Sequence, residues 1–142
     1  MFKTKKPLRF GDCDPSGIAY FPSYLHILVG VLEEFFTTLG FPWRAMNDVR
    51  RMSVPTVRLD LTFKNPGIQG DELDFALAVR AIGRSSLDLE HTVSRGDTLL
   101  WAAKHRIVAT SLDTNTSLAW PDDIRDALTQ HLETPHAHDP AT

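Results

Sequence analysis

PSYLHILVGVLEEFFTTL, residues 22–39, decides how the rest of the chain must be arranged. Its polar residues Ser23, His26, Gly30, Glu33, Glu34 and Thr37 fall on one stripe at helical spacing. Apart from Pro22 and Thr38, the rest of it is large and apolar: Tyr24, Leu25, Ile27, Leu28, Val29, Val31, Leu32, Phe35, Phe36 and Leu39. That period predicts a helix. Pro22 suits its first turn, where a missing N–H costs nothing, and Gly40 supplies a stop. The apolar arc is wider than a surface helix needs, so other elements are expected to wrap most of it. Glu33 and Glu34 argue against a membrane span.

C-terminal to this helix the period changes. Residues 41–52, with Trp43 and several charges, read as a loop with a short helix. From Val57 onward apolar residues alternate with polar ones: Val57, Leu59, Leu61 and Phe63 against Arg58, Asp60, Thr62 and Lys64. This is the pattern of a half-buried strand. NPGIQGD (65–71), GRS (83–85) and RGD (95–97) are turn sequences. Between and after them the alternation continues through Leu73 to Ala81, Leu87 to Val93 and Leu99 to Ile107. Thr4 to Phe10 reads as a short opening strand, and Pro121, Asp122 and Asp123 open a short terminal helix. One antiparallel sheet curling around one buried helix satisfies both periods at once, an α+β chain of hot-dog architecture. The open edge of such a sheet invites pairing with a second copy.

At 142 residues the chain suits one domain, expected over residues 1–133, followed by a disordered polar tail, TPHAHDPAT, at 134–142. His136 and His138 belong to that tail's composition. A net charge of -3 without a basic run gives no pull toward nucleic acid or a membrane surface. The single cysteine, Cys13, excludes an internal disulfide and suits a reducing compartment. MFKTKKPLRF lacks the apolar stretch of a signal peptide, so a cytoplasmic location is expected.

N-terminal to the helix stands FGDCDPSGIAYFPSY, residues 10–24. A calcium loop begun at Asp12 needs a bidentate Glu at its twelfth position, which here is Ser23, so no metal is expected. The two glycines match no phosphate-binding loop. Cys13 as a nucleophile is disfavoured, because flanking aspartates raise a thiol pKa. Two readings stay open for Asp14. It caps a turn, as Asp before Pro and Gly often does. Or it faces a carbonyl that is polarised by free N–H groups at the helix start. Pro22 has no N–H to give, which leaves Phe21 or the residues after Pro22.

The segment closely resembles the corresponding stretch of the 4-hydroxybenzoyl-CoA thioesterase family, roughly F-x-D-x-D-x-x-G-[IV]-x-[YFW]-x-x-Y ahead of a long helix. The resemblance implies hydrolysis of an acyl- or aryl-CoA to acid and CoA. It implies Asp14 as nucleophile or general base, and the Phe21 backbone amide as the group that polarises the carbonyl. It extends substrate contacts to Gly17, Tyr20, Pro22, Tyr24 and, in the turn after Ile82, Arg84. Asp12 supports the loop. No cofactor is implied, since coenzyme A is part of the substrate, and a homodimer or homotetramer with sites at the dimer interface is expected. Val29 and its neighbours offer no partner for a para-hydroxyl, so the family name does not fix the acyl group. Two other activities carry less weight. A hot-dog enoyl-CoA hydratase pairs its Asp with a His a few residues on, and here none precedes His26. A non-catalytic acyl-CoA-binding module usually lacks the carboxylate.

Overall fold

Helix α1, Phe21–Thr38, lies against a five-stranded antiparallel sheet in a computed structural model that describes residues 1–133. The expected tail at 134–142, with His136 and His138, lies outside the described residues. The strands are β1 (Phe2–Pro7), β3 (Thr56–Phe63), β4 (Glu72–Ile82), β5 (Ser86–Arg95) and β6 (Thr98–Val108), in the order β1-β4-β5-β6-β3. The hairpins β4–β5 and β5–β6 turn at the GRS and RGD sequences, and Gly96 takes a φ of 57°. Helices α2 (Trp43–Asp48) and α3 (Asp122–Thr129) and a 3-10 turn at Phe10–Asp12 complete the helical inventory of the described residues.

Alternation puts Leu73, Phe75, Leu77 and Val79 of β4 on one face with Leu87, Leu89 and Val93 of β5 and Trp101, Ala103 and Ile107 of β6. Two core clusters form between this face and α1. Tyr24, Leu28 and Val31 pack with Phe75, Val93 and Trp101, near the start of the helix. Leu32, Phe35 and Phe36 pack with Leu77, Leu87 and Ile107, toward its end. Fully burying one such side chain is worth about 1.5–3 kcal/mol. His91 and His105 lie on the same face, both buried. Nε2 of His91 sits 3.1 Å from Nδ1 of His105, whose Nε2 is 2.7 Å from the Thr56 hydroxyl. They are core histidines, partnered with each other.

Three details depart from the sequence reading. The sheet covers one side of α1 only, leaving Val29 43% exposed along with His26 and Gly30. In β3 the alternation is broken by a register shift between Thr56 and Arg58, so Val57 is 57% exposed; Phe63, at the far end of this edge strand, is 50% exposed. A two-residue ladder, β2 (Met52–Ser53) with β7 (Thr110–Ser111), is too short to show any period in sequence.

Candidate active site

The segment before α1 is held by a miniature ladder. Cys13 pairs with Ala19, and Ile18 pairs with Ile68 in the connection between β3 and β4. Ala19 N–H donates to the Gly67 carbonyl and Gln69 N–H to the Gly17 carbonyl, each at 2.9 Å. That connection is itself fastened to the sheet. Leu8 exchanges backbone bonds with Gly70 and Asp71, and the Arg95 guanidinium meets the Asp71 carboxylate at 2.6 Å. Arg95 therefore holds this connection, and Arg106 is paired with Asp88 at 2.6 Å.

Within the ladder Asp14 opens a tight turn. Gly17 N–H donates to its carbonyl and its own N–H donates to the Ile18 carbonyl, both at 2.9 Å. Gly17 has a φ of 82°, the left-handed region that favours glycine. The Asp14 carboxylate is exposed and accepts on Oδ1 from both the hydroxyl and the N–H of Ser16. The Ser16 hydroxyl first, then the backbone N–H groups of Ser16 and Ile18, hold this carboxyl below the usual range, so it is ionised at neutral pH. Both Ser16 bonds fall on Oδ1 and neither engages Oδ2. Asp12 plays the supporting part expected of it. Its carboxylate accepts from Arg9 N–H at 2.9 Å and its carbonyl from Tyr20 N–H at 2.9 Å. The Cys13 thiol is pushed up, by partial burial first and then by Asp12, Asp14 and Asp71, which leaves it protonated at neutral pH.

Seven residues after Asp14 the helix begins. Tyr20, its cap residue, is extended and caps with no side chain, so the first N–H groups look outward. Pro22 has no N–H, and Ser23 N–H is spent on the Tyr20 carbonyl at 2.8 Å. Phe21 N–H has no acceptor among the described residues and stands at the positive end of the helix dipole.

Beside Phe21 opens a cavity of about 410 Å³. Ile18, Phe21, Tyr24, Phe63, Pro66 and Gly67 give it an apolar lining, and Lys64 and Asn65 are its polar residues. The Tyr24 ring lies 5.1 Å from that of Trp101 and 6.3 Å from that of Phe63. The Tyr24 hydroxyl is buried without a hydrogen-bond partner, and burial pushes its pKa up. It leans on Gly67, where an added Cβ would lie 2.2 Å from the hydroxyl oxygen.

The fold thus brings Phe21 and Tyr24 to one cavity, with Asp14 and Gly17 in the turn that anchors its wall. Tyr20 is exposed and Pro22 half-buried in the same segment, outside the lining. Arg84 is elsewhere. It is exposed in the β4–β5 turn, and its carbonyl accepts from Trp120 N–H and the Arg125 guanidinium. By register Phe63 shares a row with Phe75, and from Phe75 to Ile82 the strand alone runs roughly 23 Å. Within one chain Arg84 is at the far end of the sheet. Ser16, Gly67 and the Asp71–Arg95 pair were not legible beforehand. NPGIQGD shows only that a turn exists, not what it touches.

A family model described as thioesterase-like superfamily matches residues 8–128. A 1,4-dihydroxy-2-naphthoyl-CoA hydrolase of Synechococcus elongatus is 26% identical over 133 residues, 93% of this chain and 92% of that one. The 4-hydroxybenzoyl-CoA thioesterase of Pseudomonas sp. strain CBS-3 is 32% identical over 90 residues, 62% of this chain and 64% of that enzyme. Among solved structures, a 4-hydroxybenzoyl-CoA thioesterase mutant, an aspartate replaced by asparagine, complexed with 4-hydroxybenzoyl-CoA, superposes with a TM-score of 0.83. It is 26% identical and covers 89% of this chain and 97% of that one.

Proposed function

The chain belongs to the thioesterase-like superfamily, and from that premise we propose that it hydrolyses an aryl-CoA thioester, 4-hydroxybenzoyl-CoA or a related aromatic acyl-CoA, to the free acid and CoA. The names of its relatives support the aryl-CoA class. One observation supports the mechanism. An amide without an acceptor, at Phe21, stands beside an apolar cavity, and an ionised carboxylate, at Asp14, lies at the other end of the same eight-residue segment. In this reading the acyl group lies against Phe21, Tyr24 and Phe63, and Phe21 N–H polarises the thioester carbonyl. Asp14 attacks the carbonyl carbon or draws a proton from water that does so. The C–S bond breaks and the sulfur leaves as thiolate, which is protonated to free CoA. Gly17 allows the turn that presents Asp14, and Tyr20 and Pro22 shape the approach to the helix start.

The same proposal has the enzyme work as a homodimer or as a pair of dimers in the cytoplasm, without a cofactor beyond the CoA portion of its substrate. Support for a second copy comes from the open edge of β3 and from the uncovered Val29, Val57 and Phe63. A second copy is also the route by which Arg84 would reach the phosphates of CoA. Among the described residues no helix is long and apolar enough to cross a membrane.

The test is free-thiol release across benzoyl-, 4-hydroxybenzoyl-, phenylacetyl- and straight-chain acyl-CoAs. Release fastest with an aryl-CoA, and at least about 100-fold slower in Asp14→Asn, is the expected outcome. Undiminished release by that variant would move the chemistry to another residue. Binding of acyl-CoA with no release by the wild type would leave a binding module.

A further inference from the structure

We propose that Ser16 is a positioning residue for the Asp14 carboxylate: it grips one oxygen, Oδ1, through two donors, and so assigns the reaction to the other, Oδ2. This rests on the reading of Asp14 given above and adds to it the reacting oxygen and the side chain that selects it. Ser16 N–H donates to Oδ1 at 2.8 Å and the Ser16 hydroxyl donates to the same oxygen. The hydroxyl is surplus to the turn. Two backbone bonds, Gly17 N–H to Asp14 and Asp14 N–H to Ile18, together with the left-handed Gly17, already fix the chain's path.

What the hydroxyl adds is control of the carboxylate. The last torsion of a free Asp side chain is broad and two-fold, so its oxygens exchange places readily. Two charge-assisted bonds to one oxygen stop that exchange and draw charge toward the held atom. Oδ2 then faces the same way throughout the approach of a thioester, which is where orientation lowers a barrier. In the nucleophilic course a bond forms from Oδ2 to the acyl carbon, the C–S bond breaks, and sulfur leaves with the electron pair as thiolate. Water opens the resulting anhydride to the acid and regenerates the carboxylate. In the general-base course Oδ2 takes a proton from the attacking water. Ser16 moves no proton in either.

The experiment compares wild type, Ser16→Ala, Ser16→Thr and Asp14→Asn on the best-hydrolysed aryl-CoA of the panel, alongside a carbon-13 NMR titration of the Asp14 side-chain carboxyl in the first three. Ser16→Ala is expected to lower kcat about tenfold with KM unchanged and to raise the Asp14 midpoint, since one donor to the charged form is gone. Ser16→Thr keeps the hydroxyl and is expected to restore both. Unchanged kcat and midpoint in Ser16→Ala, with Asp14→Asn inactive, overturn the role of Ser16 and leave the Asp14 reading standing. A fall in kcat that moves no midpoint, or that threonine does not repair, overturns it as well by making Ser16 a loop residue only. Full activity of Asp14→Asn removes the Asp14 reading itself, and this inference with it.

Discussion

Gly67 and Tyr24 meet closely at the wall of the cavity, and the contact sets up a thermodynamic cycle. A Cβ at position 67 would press on the Tyr24 hydroxyl at 2.2 Å and on Leu8 at 3.0 Å. Gly67→Ala is therefore expected to cost about 1–3 kcal/mol in urea denaturation, the range for forced overpacking. Tyr24→Phe removes a hydroxyl that bonds nothing, so it is expected to be near neutral. With the oxygen gone the double variant loses less than the sum, and strict additivity would show that the clash is relieved elsewhere. At this scale the sequence was unevenly readable. Asp-Pro-Ser-Gly announces a turn with a presented carboxylate, because proline and glycine have backbone demands visible in their names. The grip of Ser16 on one oxygen and the narrowness at Gly67 arise from side chains meeting at a fixed geometry, which spacing does not encode.

For helix α1 the question is which apolar residues the sheet covers. Phe35 is wholly buried and touches the rings of Phe2, Phe36 and His131, so Phe35→Ala is expected to destabilise by about 3–5 kcal/mol. Val29→Ala, on the uncovered flank, is expected to change an isolated chain by less than about 0.5 kcal/mol, and thermal unfolding would separate the two. The helix and its end at Gly40 were legible because a 3.6-residue period over five turns has few competitors. The side left open was not. An apolar arc shows that cover is needed without saying whether one chain supplies it. β3 failed for another reason: a register shift of one residue turns Val57 outward, and alternation counted from Leu59 cannot foresee it.

Across the whole molecule the two buried histidines tie stability to pH. Burial holds His91 down to about 3, with the neighbouring His105 contributing, and burial holds His105 down to about 4. Both are neutral in the fold, while an unfolded histidine titrates near 6.5. The unfolded chain thus binds more protons below pH 6.5. The contribution is complete above that value and is lost progressively as pH falls toward 4 and 3. For His91 the loss between pH 7 and pH 5 comes to about 2 kcal/mol. The melting temperature is expected to fall over that interval, and His91→Leu with His105→Leu should flatten the fall. A slope unchanged in that variant would assign the acid sensitivity to other groups. Association belongs to this scale too. Val29→Asp and Val57→Arg are each expected to shift a dimer toward monomer in sedimentation at micromolar concentration, whereas an unchanged mass would place the contact elsewhere. The order of elements along the chain has a further consequence, for synthesis. α1 ends at Thr38, but the last strand that covers it ends at Val108, 70 residues later. At about 5–20 residues per second, ribosomes would leave the helix's apolar face without its sheet for roughly 4–14 s. The growing chain spends that interval as a client for whatever shields apolar helices near the exit tunnel.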